Sequence, residues 1–108
     1  MSDGRVTVVA RVKAKSGMEE RLAEAMGRLL EGSRSDAGCV NYDLHRGLED
    51  PSVFVIYENW TSERELDEHL DQPHLHEFVG KLEDLAEGEI EITRLEMISS
   101  PTPGTAGQ

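Results

Sequence analysis

Between Arg5 and Lys13 the chain alternates, with Val6, Val8, Ala10 and Val12 on one side and Arg5, Thr7, Arg11 and Lys13 on the other, Val9 being the exception. A period of two over this length predicts a half-buried strand. Ser16-Gly17-Met18-Glu19 reads as a capping box, Ser16 serving as N-cap and Glu19 reaching back to it. The helix it opens carries Leu22, Met26, Leu29 and Leu30 at helical spacing and should stop between Gly32 and Gly38. Val40, Tyr42 and Leu44 mark a second strand, and the apolar, β-branched and aromatic run from Val53 to Trp60 marks a third, the best candidate for a central strand. The turn residues from Gly47 to Ser52 between them predict an antiparallel hairpin. Ser62-x-x-Glu65 is a second capping box, opening a short helix through Leu66, His69 and Leu70. Pro73 suits the first turn of a further helix, with Leu75, Phe78, Val79, Leu82 and Leu85 on one stripe and Gly88 ending it. A last strand is expected over Glu89 to Ile98, Ile90 and Ile92 facing one way and Leu95 and Met97 the other.

The order β-α-β-β-α-β, with the second helical unit broken at Pro73, predicts an α+β, ferredoxin-like fold: an antiparallel sheet with helices on one face. One domain over residues 5–98 is expected, between a disordered start (1–4) and a disordered Pro, Gly, Ser and Thr tail (99–108). The helices leave the other face of the sheet bare. Thr7, Val9, Arg11 and their neighbours make that face mixed, and a second copy packed against it is the economical cover, so a homodimer is expected.

Composition narrows the partners. Among 108 residues, 22 acids against 11 bases give a formal net charge of -11. Nucleic acid and anionic membrane surfaces both demand clustered Lys and Arg, so neither is expected. No apolar run approaches a membrane span, and the first residues lack the apolar core and cleavage pattern of a secretory signal. Cys39 is the single cysteine and has no partner within the chain, and a reducing cytoplasm is the expected compartment.

The chemistry concentrates between Glu58 and His74. Glu58 and Trp60 are two apart on a strand and therefore share a face. A helix crossing that face can bring His69 onto them, making a small pocket with an aromatic wall and a base that titrates near neutrality. Each residue also has a plainer reading. Trp60 would serve as core packing, His69 could bond a backbone carbonyl, Glu58 could be a satisfied buried acid, and Tyr42 and Cys39 could be core. A metal site is not expected: His74 and His76 project to nearly opposite sides of one helix, and Pro73 interrupts the chain between His69 and His74.

The topology, with Gly38-Cys39-x-x-Tyr42, Glu58-x-Trp60 and His69-Leu70-x-x-Pro73-His74, resembles the antibiotic-biosynthesis-monooxygenase superfamily, and within it the small bacterial quinol monooxygenases. The resemblance covers roughly residues 5–98. It implies a dimeric α+β barrel with a pocket in each subunit between sheet and helices. It also implies oxidation of electron-rich aromatics by dioxygen, usually without flavin, haem or metal. Carried over by residue, it implies that Trp60 and His69 lie in the pocket with Glu58 beside them, and that Tyr42 and His74 contribute to substrate binding. Two departures bear on the reaction. Family members that cleave haem rely on an Asn in the first strand, and residues 5–13 contain none. Polyketide-oxidising members carry an Asn four residues before the Trp, where this chain has Ile56, and Asn59 should face the other way.

The expectation is therefore a cofactor-independent monooxygenase acting on a quinol or similar aromatic, with dioxygen as co-substrate. His69 is the expected base, Trp60 the substrate wall, and Glu58 the group that orients or charges His69. An isomerase using the same histidine, or a non-catalytic binding protein for a small aromatic metabolite, are the alternatives.

Overall fold

The computed structural model describes residues 4–103. The elements run β1 (Val6–Lys13), α1 (Glu19–Arg34), β2 (Cys39–Arg46), β3 (Val53–Trp60), α2 (Glu63–Leu70), α3 (Pro73–Leu85) and β4 (Glu91–Leu95). The strands form one antiparallel sheet in the order β2-β3-β1-β4. This is the α+β ferredoxin-like arrangement. Its two central strands, β1 and β3, carry the most regular apolar alternation because both of their edges are paired and one face is fully covered.

Val6, Val8, Ala10 and Val12 of β1 lie beside Phe54, Ile56, Glu58 and Trp60 of β3 on the inner face, all buried. Leu22, Met26 and Leu29 of α1 and Leu75, Phe78 and Leu82 of α3 close over them. Each such side chain contributes about 1.5–3 kcal/mol by leaving water. On the outer face, Thr7 donates to Asn59, whose amide donates to Asn41 at 2.9 Å, and Asn41 in turn donates to Asp43 at 3.1 Å. That face is thus more polar than its mixed sequence suggested, and Asn59 points to it, away from Trp60, as the alternation required.

Three boundary expectations need correction. Ser16 does not cap α1. Met18 occupies the N-cap without a side-chain bond, because Gly17 adopts φ +85° and residues 15–18 close a turn in which the Met18 N–H meets Lys15 O at 2.9 Å. The Ser62 box does form, its hydroxyl accepting from the Glu65 N–H at 3.2 Å. The last helix stops at Leu85, ahead of Gly88. Ala86 turns extended and bridges Ala14, and the flanking Lys15 N–H and Glu87 N–H bond Leu85 O and Lys13 O at 2.9 and 2.7 Å. Finally, β4 covers Glu91–Leu95 rather than Glu89 to Ile98. Leu95 already sits opposite Thr7, so only Val6 of β1 remains beyond it to pair with.

Residues 96–103 form neither helix nor strand, and the remainder of the expected disordered ends, 1–3 and 104–108, lies outside the described residues. Among the described residues no helix is long and apolar enough to cross a membrane.

Candidate active site

A cavity of about 110 Å³ lies between the inner face of the sheet and α2 and α3. Val8 and Ala10 form its floor; Tyr42, Ile56 and Glu58 wall one side, Ile92 and Arg94 the other. Leu66, His69 and Leu70 of α2 and Leu75, Phe78 and Val79 of α3 roof it. The titratable and cationic residues that contribute to this apolar lining are Tyr42, Glu58, His69 and Arg94.

Strand geometry fixes the first two. A bulge in β2 between Cys39 and Asn41 inserts one residue, so that Tyr42 rather than Asn41 stands opposite Glu58. Glu58 and Trp60 share the inner face, and the Trp60 indole Nε1–H donates to Glu58 Oε1 at 2.9 Å. Burial pushes the Glu58 carboxyl up to about 7, the Trp60 bond opposing the shift only in part. Tyr42 is also pushed well up, by burial first and then by Glu58. The same two causes raise the Cys39 thiol to about 11, which leaves it protonated and unreactive.

The capped helix α2 swings His69 onto this corner. Its ring centroid lies 4.3 Å from that of Trp60, tilted 34°, and 5.6 Å from Tyr42 in an edge contact. His69 Nδ1 lies 2.7 Å from Asp36 Oδ2, and its side chain is 1% exposed. A carboxylate only accepts, so the imidazole carries its proton on Nδ1 and keeps the Nε2 lone pair free on a ring that lines the cavity. Burial pulls the His69 pKa down, against the pull of Asp36. Burial thus favours the neutral ring, with Nε2 left as an acceptor.

Asp36, in the connection between α1 and β2, was not among the residues expected from sequence. It accepts from both histidines: His74 Nε2 lies 2.8 Å from the same oxygen. The idea that Pro73 keeps His69 and His74 apart is thus wrong. Gln72 is extended and Pro73 starts α3 on a new axis, which brings His74 back toward Asp36. Three further expectations are revised by the geometry. Glu58 does not orient His69, because its carboxylate is turned to Trp60; Asp36 holds that place. Trp60 is fully buried behind His69 and Glu58 and is not part of the cavity wall. His74 opens onto a separate cleft lined by Arg28, Glu77 and Lys81, away from the cavity. Tyr42, Glu58 and His69 line the cavity together.

Asp36, His69 and His74 each offer one ligand atom, all within 4.8 Å of one another. Both rings aim at one Asp36 oxygen at hydrogen-bond separation. A metal held at about 2.0–2.2 Å from each donor would need the point that this oxygen occupies. In this arrangement the trio is joined by hydrogen bonds that converge on one carboxylate oxygen. His76 takes no part and faces Asp71 on the surface.

The sequence pattern of the antibiotic biosynthesis monooxygenases matches residues 5–81. The chain belongs to that family. A relative from Synechocystis, sll1783, is 31% identical over 84 residues, 78% of this chain and 57% of its own longer length. "Putative monooxygenase YcnE" of Bacillus subtilis is 26% identical over 92 residues, 85% of this chain and 97% of its own. Among solved structures, PA3566 of Pseudomonas aeruginosa superposes with a TM-score of 0.83 at 29% identity, covering 89% of this chain and 96% of its own.

The residues that the sequence singled out and the fold brings together are the ones carried by regular elements. Asp36 sits in an irregular connection with no periodicity to mark it. Arg94 lies on an exposed strand whose inward residues are not distinguished by hydrophobicity. Ile56, at the place of the polyketide-oxidising members' asparagine, adds an apolar side chain to the cavity wall.

Proposed function

We propose that this member of the family is a monooxygenase that oxidises a quinol or comparably electron-rich aromatic with dioxygen, without an organic cofactor or metal, in the cytoplasm as a homodimer. The observation that carries the reading is the Asp36–His69 pair at 2.7 Å on the wall of a small apolar cavity. Ground-state dioxygen accepts electrons one at a time, and a hydroquinone gives them up far more readily once deprotonated. His69 Nε2 takes the hydroxyl proton, and Asp36 stabilises the imidazolium that forms, a contribution of about 10²–10⁴-fold in rate. The phenolate then passes an electron to dioxygen in a site that excludes bulk water, and the two radicals combine at a ring carbon. Loss of water leaves the hydroxyquinone. One oxygen atom stays on the ring, the other leaves as water with the substrate's two lost hydrogens, and the ring supplies all the electrons.

Glu58, ionising at about 7 beside the same cavity, is poised to return a proton to the departing oxygen. The names of the relatives support the monooxygenase class. Tyr57, Leu95 and Met97, apolar side chains exposed on the outer face of the sheet, support a second copy packed against that face.

The test is dioxygen uptake by chelator-treated protein given a hydroquinone, against His69→Ala and a no-enzyme autoxidation control. Uptake above autoxidation that disappears in the variant is the expected result. Uptake equal to the control would sink the reading for that substrate class. A second reading, an isomerase, draws on the pairing of His69 with a carboxyl that titrates at about 7, two proton carriers on one cavity. It requires turnover in the absence of oxygen.

A further inference from the structure

The register of the sheet places a cation at the far end of the cavity from His69. Tyr42 stands opposite Glu58, Glu58 opposite Val8, and Val8 opposite Arg94, so these side chains form one transverse row on the inner face. All of them line the cavity. Two strand spacings put the backbones of Glu58 and Arg94 about 9.5 Å apart. Between them Val8, with Ala10 in the next row, is a flat and small apolar floor. Proton-handling groups thus stand at one end, and at the other Arg94 lines the cavity and carries its guanidinium to the mouth, against Asp67.

Arg94 is weakly engaged. Its Nη2 lies 3.4 Å from Asp67 Oδ1 of α2, and the two side chains are 43% and 65% exposed. A pair this long and this wet is worth little. It also spans the mouth from β4 to α2, so Asp67 is a resident carboxylate that an incoming anion can replace at small cost.

We infer that Arg94 anchors an anionic group of the substrate, and that the substrate is a single-ring hydroxylated aromatic acid. The hydroxyl lies toward His69 and Glu58, and the carboxylate lies across the fork of Arg94. This rests on the reading of the cavity as an aromatic-substrate site and deepens it. Size excludes more than one ring: a dry cavity of about 150 Å³ takes benzene, and this one, at about 110 Å³, is smaller, so the carboxylate has to project into the mouth where Arg94 meets Asp67. Charge makes the anchor a requirement: at a net charge of -11 the chain repels anions in general, and an acid stays bound only where a fixed cation meets it. Guanidinium geometry matches a carboxylate through two parallel bonds, a match that ammonium lacks.

The experiment is an anaerobic titration of the full chain with 2,5-dihydroxybenzoate and, separately, with hydroquinone. It is followed by the fluorescence of Trp60, the chain's single tryptophan. The acid should bind about tenfold or more tightly than the neutral ring. Arg94→Gln should bring the ratio of the two affinities toward one, and Arg94→Lys should keep part of it. Asp67→Asn should move the other way and tighten acid binding, because it removes the competitor. If the Arg94–Asp67 pair were only structural, both variants would weaken both ligands alike, and the assignment would fall. Equal affinity of the wild type for the two ligands would overturn it as well, and binding of neither would overturn it together with the aromatic-site reading. Because no oxygen is present, acid binding without later uptake would sink the monooxygenase reading alone. Oxygen uptake with hydroquinone but no preference for the acid would sink the Arg94 assignment alone.

Discussion

Glu58 should make this protein less stable as the pH rises through neutrality, and Glu58→Gln should remove that dependence. The carboxyl is 4% exposed, accepts one indole N–H, and ionises at about 7 in place of 4.5. The folded state therefore holds the Glu58 proton more tightly than the unfolded chain does. The stability linked to this group is complete below about pH 4.5, declines as pH rises, and is lost once pH passes about 7. The full penalty is on the order of 3 kcal/mol, the free-energy equivalent of that displacement. Glutamine keeps an acceptor for Trp60 Nε1 and cannot ionise. Urea unfolding of both proteins from pH 4 to 8.5 reads the effect directly. The two midpoints should nearly coincide at the acid end. They should diverge between about pH 4.5 and 7, the glutamine variant ending higher by roughly 1–2 M at a slope of about 2 kcal/mol per molar urea, and stay parallel above that. His69, whose pKa is lowered by burial, acts in the opposite sense, its contribution being lost as pH falls below its ordinary value of 6.5, but it is common to both proteins. Midpoint curves that run parallel across the whole range would show that Glu58 is not held protonated by the fold, and with it the proposed proton return would lose its donor.

Asp36→Asn should cut hydroquinone-dependent oxygen uptake by about 10²-fold or more, since an amide can offer its N–H to His69 Nδ1 and select the wrong tautomer. Circular dichroism should show the fold intact, and unchanged uptake would remove Asp36 from the mechanism. Gly38→Ala should lower stability by about 1–2 kcal/mol in the same urea assay. Gly38 has φ +84°, and a Cβ there would meet the Glu65 side chain at 2.5 Å, disturbing the capping box that positions α2. A neutral result would mean that the turn relaxes freely. Chelator treatment followed by dialysis should leave oxygen uptake undiminished, and added zinc should lower it by pulling Asp36, His69 and His74 out of their hydrogen bonds; activity that depends on added metal would reverse the reading of that trio.

The alternation of β1, the apolar run of β3, the hairpin turn, the Ser62 cap and Pro73 were legible in the chain because each is a local property of backbone geometry. A strand shows its faces at a period of two, a helix shows its stripe, and Pro73 restricts its own φ wherever it falls. Together these settled the topology, and with it the meeting of Glu58, Trp60 and His69 at one corner. The tertiary structure decided what each of those residues does there. A single-residue bulge, invisible to periodicity, set Tyr42 against Glu58. Asp36 reaches His69 across 33 positions and His74 across 38, so its role arises only when the loop after α1 folds back on α2 and α3. Trp60 became a buried prop instead of a wall because His69 stacks in front of it. Arg94 joined the site through the pairing of β4 with β1, which no inward or outward pattern in so exposed a strand could announce. Local sequence fixes where a side chain points within its own element. Which side chain it meets depends on how distant elements pack, and the site's electrostatics come from those meetings.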